Sequence, residues 1–178
     1  MDFILRLKAW QLFLIFVVPT FIFQPFLNDL LLFALGLITW AFIFFWIYSI
    51  GVKMNALVPI EFRPRISRFK TYYLVSAVLQ VILLIWSFFI KDPLASTTYE
   101  IVLQCLLIAV GLYFALSIFM SAARTLKMAI LQHHVDKSDA MLEFFCIWMF
   151  PLGVWVIQPA VNKVLREHSD KPGIEKIQ

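Results

Sequence analysis

The chain has 178 residues, of which 62% are hydrophobic and 15% are charged, and its mean hydropathy is +0.88. Soluble domains are close to half apolar and about a quarter charged, so this composition excludes a soluble globular protein. The formal net charge of +4 is typical of a membrane protein with a basic cytoplasmic face, and no nucleic-acid partner is expected. The two cysteines, Cys105 and Cys146, form no CxxC pair, which argues against a disulfide scaffold or a thiol redox site.

Four segments are long and apolar enough to cross a bilayer as helices, which takes about 20 residues. None of them contains Asp, Glu, Lys or Arg, and they cover residues 9–26, 30–50, 72–90 and 101–120. Pro19 predicts a kink in the first segment. The fourth helix is expected to begin at the capping box from Thr97 to Glu100. It has no breaker before His133, so its last turns should project beyond the membrane.

The basic residues favour one side of this arrangement. With four spans and an internal N-terminus, 14 of the 15 Lys and Arg residues are cytoplasmic, and only Lys91 is outside. Because Lys and Arg collect in cytoplasmic segments, this bias predicts a multi-pass membrane protein with both termini in the cytoplasm. Residues 1–168 then form a single helical transmembrane domain, followed by a flexible cytoplasmic tail at residues 169–178.

The last apolar stretch differs from the spans because it is interrupted. Its unbroken core, residues 144–157, has only 14 residues, and Pro151 and Gly153 allow a sharp reversal of the chain. A fifth span would place Lys163 and Arg166 outside, against the charge bias. We therefore expect residues 144–158 to form a re-entrant or interfacial helical hairpin on the cytoplasmic side. A true fifth span is the alternative. The predicted fold is all-α, with four transmembrane helices and this C-terminal hairpin.

A basic stretch between the second and third spans is a candidate binding site for lipid headgroups. Juxtamembrane cations are each worth about 1 kcal/mol near an anionic leaflet. The candidate contacts to anionic headgroups are Arg63, Arg65, Arg68 and Lys70, which alternate with apolar residues. The alternatives are that these cations only fix the topology, or that they bind a protein partner.

Histidines and carboxylates near the cytoplasmic end of the fourth helix form a second candidate site. The group comprises His133, His134, Asp136 and Glu143. Its spacing matches no strong metal-binding motif, so a solvated turn between two helices is the preferred interpretation. No catalytic residue, metal or cofactor is predicted, and a lipid-acting enzyme that uses this group is kept as an alternative.

The C-terminal stretch carries a pattern of helix breakers and amides. Gln158 and Asn162 stand at i, i+4 with Pro159 between them, so we expect them to satisfy backbone groups freed locally by the proline. An amide-lined site for a headgroup or small ligand is the alternative. The pattern resembles the P-x-G-x-W-x-x-Q-P-x-x-N ending of small uncharacterised bacterial multi-span membrane proteins, matched here by Pro151, Gly153, Trp155, Gln158, Pro159 and Asn162. This resemblance covers about a third of the chain; it implies a multi-pass protein of the bacterial inner membrane and no activity.

Three classes of function remain open from the sequence. The preferred one is a non-enzymatic accessory or interaction protein whose basic cytoplasmic face engages anionic lipid, a protein partner or a second copy of the chain. The second class is an oligomeric channel or small-molecule transporter. Gln80 in the third span is expected to donate a hydrogen bond across a helix interface, and a polar contact in a pore is the alternative. The third class is the lipid-acting enzyme named above.

Overall fold

The computed structural model describes residues 2–23, 28–89 and 98–169, and these ranges contain helices and their connections without any strand. The prediction of an all-helical protein is therefore confirmed for this part of the chain. A short 3-10 helix, Ile60–Phe62, lies between the fourth and fifth α-helices. The α-helices are α1 (Asp2–Arg6), α2 (Ala9–Phe16), α3 (Val18–Phe23), α4 (Asp29–Leu57), α5 (Ile66–Phe89), α6 (Thr98–Leu131), α7 (Met141–Trp148) and α8 (Val154–Ser169).

Three of these helices are long and apolar enough to cross a membrane. The apolar parts are Leu30–Leu57 in α4, Ile66–Trp86 in α5 and Tyr99–Leu131 in α6. They contain the second and fourth predicted spans and residues 72–86 of the third. Residues 87–89 of the third span belong to α5, and residue 90 lies outside the described residues. The lengths and apolar composition of these three helices are compatible with a membrane protein.

The first predicted span is divided into α2 and α3. The break is at Val17, two residues before Pro19, which has no N–H group to donate to the preceding turn. Residues 9–23 together cover about 22 Å at ~1.5 Å per residue, less than the ~30 Å thickness of the hydrocarbon core. The last residues of this predicted span, 24–26, lie outside the described residues, so four spans remain a prediction.

Helix α6 is long, as the absence of breakers predicts. Its 34 residues extend about 51 Å at ~1.5 Å per residue, well beyond the hydrocarbon core. It ends at Leu131, where Gln132 has a left-handed φ of 56°. The Gln132 Nε2 group donates to the carbonyl oxygen of Leu57 over 3.3 Å, which fixes the ends of α6 and α4 at the same level. The predicted N-cap, Thr97, lies outside the described residues.

The projecting part of α6 packs into the core. Ala122, Leu126 and Ala129 are buried there together with residues of α4 and of the C-terminal helices. Ile130, which the helical spacing also assigns to this stripe, is exposed. A stripe of small and aliphatic side chains lets the neighbouring helices approach closely, and it explains why α6 stays helical beyond the membrane-spanning length.

Helices α7 and α8 are joined by a reversal at residues 149–153 and pack against each other. A Cβ atom on Gly153 would overlap the carbonyl oxygen of Cys146, so this position requires glycine for close approach of the two backbones. The inner face of α8 buries Val154, Ile157 and Val161 against α1, α2, α4 and α6. We call α7, the reversal and α8 the C-terminal helix pair.

The close backbone approach predicts that Gly153→Ala destabilises the protein by about 3 kcal/mol or more, because the added methyl group meets backbone rather than a side chain that can move. Thermal unfolding in detergent, followed by circular dichroism, measures the loss. Gly36→Ala is the matched control, since a Cβ there has no atom within 4 Å. Alanine at position 36 should leave stability unchanged or raise it by up to about 1 kcal/mol. Equal stability of the two variants would contradict the packing described here.

Candidate functional site

Gln158 of the C-terminal motif is fully buried and connects three parts of the chain. Its Oε1 atom accepts a hydrogen bond from the indole N–H of Trp46 over 2.9 Å. Its Nε2 group donates to the carbonyl oxygens of Leu5 and Leu7 over 2.7 and 2.9 Å. Asn162, one turn later, donates from Nδ2 to the same Leu7 oxygen over 3.3 Å. The amides therefore hold the connection between α1 and α2 against α8 and α4.

The two amides do bind backbone carbonyls, as expected, but these carbonyls are not the ones expected. The carbonyls that they bind belong to the N-terminal segment, about 150 residues away, and not to the turn before Pro159. A remote backbone partner leaves no local signal in the sequence. The geometry assigns the pair a structural role.

The other motif residues lie along the reversal and the first half of α8. Pro151 is half-buried and follows a cis peptide bond, and Pro159 is exposed inside α8. Trp155 is half-exposed, with its ring 6.0 Å from that of Phe13 in α2. Together with Gly153, these residues shape the C-terminal helix pair and its contact with the N-terminal helices.

The four candidate headgroup contacts, Arg63, Arg65, Arg68 and Lys70, do not lie together at one site. Arg63 turns back and caps α4, with Nη2 donating to the Ala56 carbonyl over 2.9 Å and Nε to the Val58 carbonyl over 3.3 Å. Lys70 is exposed on α5. Arg65 and Arg68 line a cavity between α4, α5, α6 and α7.

This cavity, which we call the basic cavity, has a volume of about 880 Å³. Ligand sites in proteins usually have volumes of about 300–1,000 Å³. Its charged lining consists of Arg65, Arg68, Arg124 and Lys137, and among the described residues that line it none is Asp or Glu. Arg124 and Lys137 were not predicted as site residues. A polar stripe of Ser117, Ser121 and Arg124 at helical spacing on α6 is the signal that could have indicated Arg124, whereas Lys137 lies in the connection after α6 and has no such signal.

The basic cavity changes in character along α6. Its cationic part lies near Arg124, whereas Tyr113, Leu116 and Met120 line its other end. The predicted fourth span ends at residue 120, between these two parts. Tyr113 and Arg124 are 11 residues apart, or about 16 Å at ~1.5 Å per residue. The cavity thus has a basic end outside the predicted hydrocarbon region and an aromatic and aliphatic end inside it.

Four side chains on the cavity wall have polar atoms without a partner among the described residues. Asn55 of α4 is only 5% exposed, and its Oδ1 atom has no hydrogen-bond partner among the described residues. Leaving a buried acceptor unsatisfied costs about 1–3 kcal/mol, so this oxygen lowers the stability of the fold. Within the same part of the chain, the side chains of Arg65, Arg68 and Lys137 form neither ion pairs nor hydrogen bonds. These cations are available to a ligand.

Besides lining the cavity, Arg124 contacts the connection between α6 and α7, and this contact fixes its position. Its Nε group donates to the carbonyl oxygen of Val135 over 3.0 Å, and Nη2 lies 3.5 Å from Nε2 of His134. Val135 is buried, so Arg124 holds the connection between α6 and α7 against the cavity. Lys127 makes a similar link: its Nζ atom lies 3.1 Å from Oε1 of Glu143 in α7.

The predicted His/Asp/Glu group is dispersed in the structure. Glu143 pairs with Lys127, and the remaining contact within the group joins His134 Nδ1 and Asp136 Oδ1, 3.9 Å apart at the surface. His133 is exposed. In the described ranges, no three His, Cys, Asp or Glu side chains lie together where a metal ion could bind.

Gln80, the polar residue of the third predicted span, bonds across a helix interface. Its Oε1 atom accepts a hydrogen bond from the indole N–H of Trp40 in α4, and its Nε2 group lies 3.4 Å from Oγ of Ser76. This is the interhelical role that the sequence favours for Gln80, with the amide accepting rather than donating across the interface.

The chain matches no family model, no curated protein and no solved structure. The assignment of a function therefore depends on the geometry of the basic cavity and of the helices around it.

Replacing Gln158 with Leu should destabilise the protein by about 2–4 kcal/mol, because the Leu5 carbonyl and the Trp46 indole N–H would lose their partners inside the core. The N-terminal segment should also become sensitive to limited proteolysis. Gln104→Leu is the matched control, since Gln104 makes no hydrogen bond within the described residues. A Gln158→Leu protein with normal unfolding temperature and an uncut N-terminus would contradict this role.

Proposed function

We propose that this chain is a multi-pass protein of the bacterial inner membrane that acts without catalysis by binding anionic lipid at its cytoplasmic end. The observation that carries the proposal is the basic cavity, with cations free of partners at the predicted membrane surface. Such a protein would serve as a lipid-dependent accessory to other membrane components. A protein partner, or a second copy of the chain, would then bind at the same basic end.

The distribution of charge supports this orientation. One end of the protein is formed by the C-termini of α4 and α6, the start of α5 and the C-terminal helix pair. Among the described residues, this end has six acidic and twelve basic side chains. The basic ones are Arg6, Lys8, Lys53, Arg63, Arg65, Arg68, Lys70, Arg124, Lys127, Lys137, Lys163 and Arg166. At the opposite end the described residues include the acidic Asp29 and Glu100. Because the cytoplasmic side collects Lys and Arg, the first end is assigned to the cytoplasm.

The depth of the C-terminal helix pair supports a shallow insertion. The ring of Phe150, at the reversal, lies 5.6 Å from that of Trp46, and Gln158 bonds to the same indole. Trp46 is four residues inside the predicted end of the second span, or about 6 Å at ~1.5 Å per residue. Interfacial helices bury their apolar faces by about 5–10 Å, so this depth favours a membrane-dipping hairpin.

The outer surface of the helix pair is suited to lipid. Large apolar side chains are exposed along α7, the reversal and the start of α8: Leu142, Phe145, Trp148, Met149, Leu152, Trp155 and Val156. Neither helix reaches the length of a span, since α7 has 8 residues and α8 has 16. These features support residues 144–158 as a re-entrant or interfacial hairpin. A hairpin that returns to the same side keeps both termini in the cytoplasm when the divided α2 and α3 segment is the first of four spans.

The topology predicts that three surface positions lie on the cytoplasmic side. Single cysteines at Glu61, His133 and Glu167, all exposed, are introduced after Cys105 and Cys146 have been replaced. An impermeant maleimide should label none of them in intact cells and all of them in opened cells. A cysteine at Glu167 that reacts in intact cells while one at His133 stays protected would mean a fifth span and would overturn the hairpin.

Lipid binding should depend on charge. Detergent-purified protein should retain phosphatidylglycerol at least tenfold more strongly than phosphatidylcholine in native mass spectrometry, since each cation near an anionic headgroup contributes about 1 kcal/mol. The preference should decrease with added NaCl, because the Debye length at 0.1 M salt is only about 10 Å. Equal retention of the two lipids at low salt would rule out the proposed function.

A further inference from the structure

We infer that the basic cavity selects among anionic lipids by their charge, and that its ligand is one lipid whose headgroup carries two or more negative charges on phosphate oxygens. A terminal phosphate and a diphosphate have this chemistry, whereas the phosphodiester of phosphatidylglycerol carries one charge. The inference rests on the proposed function, which requires only that anionic lipid is preferred over zwitterionic lipid. It adds a defined site, a stoichiometry of one and a headgroup class.

The cations of the cavity come from two different parts of the fold. Arg65 and Arg68 lie three residues apart at the start of α5, and we call this side of the cavity the α5 wall. Arg124 of α6 and Lys137 of the connection between α6 and α7 form the α6 wall. An anion that contacts one wall leaves the cations of the other wall without a counterion. A ligand that neutralises both walls needs charge and oxygen atoms for each of them.

The charge of the lining exceeds that of one phosphodiester. The three arginines and one lysine carry a formal charge of +4, and no Asp or Glu is among the described residues of the lining. Arg124 is fixed beside the cavity, because its Nε group donates to the Val135 carbonyl over 3.0 Å. A phosphodiester neutralises one of these charges, whereas a terminal phosphate carries close to two. Because the remaining cations repel one another, the lining favours the more highly charged headgroup.

The donors of the lining also outnumber the oxygens of a phosphodiester. A guanidinium has five N–H donors and an ammonium has three. One guanidinium can bind both free oxygens of a phosphodiester through two parallel N–H donors. That pairing uses one arginine, yet Arg65, Arg68 and Lys137 all lack partners among the described residues. A terminal phosphate has three acceptor oxygens, and a diphosphate has more, so either can accept donors from both walls.

The size and the apolar end of the cavity favour a lipid over a soluble anion. Leu116 and Met120 line the cavity within the predicted fourth span, and Tyr113, which is 61% exposed, lies at the same end. A lipid with its phosphate at the level of Arg124 would therefore have the start of its acyl chains along the apolar part of α6. The volume of about 880 Å³ is near the upper end of the usual range for ligand sites, so it leaves room for both parts.

The test compares lipids that have the same acyl chains but different headgroup charges. Phosphatidylglycerol carries one negative charge, phosphatidic acid carries up to two, and diacylglycerol pyrophosphate carries at least two. Native mass spectrometry of the full-length protein at about pH 8, above the second phosphate pKa of about 6, measures their binding. One phosphatidic acid should bind at least about fivefold more tightly than phosphatidylglycerol, since each further charge contact contributes about that factor. Diacylglycerol pyrophosphate should bind at least as tightly as phosphatidic acid.

Inorganic pyrophosphate distinguishes a lipid headgroup from a soluble anion. It carries the charges without acyl chains, so at equal concentration it should not displace bound phosphatidic acid. Displacement at equal concentration would overturn the assignment to a lipid and would assign the basic end to a soluble polyphosphate.

Variants on each wall locate the binding groups. Lys137→Gln should weaken phosphatidic acid about fivefold and change phosphatidylglycerol less than twofold, because one phosphodiester is satisfied by the arginines of the α5 wall. Arg68→Gln should weaken both lipids at least about fivefold. Lys70→Gln is the matched control, since it removes the same charge from an exposed position on α5 outside the cavity, and it should change neither affinity. Arg68 and Lys137 are exposed, so these variants should unfold at the wild-type temperature.

The outcomes separate this inference from the proposed function. Equal affinities for phosphatidic acid and phosphatidylglycerol, or a Lys137→Gln protein with the full wild-type preference, would overturn selection by charge while general binding of anionic lipid stands. Equal losses in Arg68→Gln and Lys70→Gln would overturn the cavity as the site. A wild-type protein that retains phosphatidylcholine as strongly as every anionic lipid would overturn the inference and the proposed function together.

Discussion

The hydrogen bonds of the Gln158 amide organise the basic end of the protein. The two N–H donors of this one side chain satisfy carbonyls of the N-terminal segment, and its oxygen satisfies the indole of Trp46 in α4. Near a membrane, buried backbone groups without partners cost several kcal/mol each, so the end of α1 cannot be left open. By binding it, Gln158 fixes α8 against α1 and α4. The reversal at Gly153 then sets α7 against α6, where Phe144 completes the wall of the basic cavity.

The long elements of this fold could be predicted from the sequence, because their signals are local. Apolar length predicted α4, α5 and α6, and the absence of breakers predicted the extension of α6 to Leu131. The reversal at Pro151 and Gly153 follows from the residue types. The break in the first segment was expected at Pro19 and lies at Val17, where proline removes the support of the preceding turn. Local rules thus give the long helices, although α4 ends seven residues after the predicted second span and α5 begins six residues before the predicted third span.

The candidate site was harder to predict, because identical charges take different roles once the helices pack. Arg63 and Arg65 are two residues apart, yet Arg63 caps α4 while Arg65 faces the basic cavity. Arg124 and Lys137 join the cavity from other elements, and only the packing of α6 and α7 brings them to Arg68. The hydrogen bonds from Gln158 to the Leu5 and Leu7 carbonyls cross more than 150 residues of sequence. Contacts of this range depend on the tertiary fold and leave no periodic pattern.

The basic cavity combines two features that oppose the stability of the empty protein. Its cations repel one another without a carboxylate among the described lining residues, and the oxygen of Asn55 lacks a donor. Small polar residues of α6, Ser117 and Ser121, leave open a volume that larger side chains could fill. An anion that binds only the folded state relieves the repulsion and stabilises the protein in proportion to the logarithm of its concentration over its dissociation constant. Under the proposed function, the stability of the basic end is therefore coupled to occupancy of the cavity by anionic lipid.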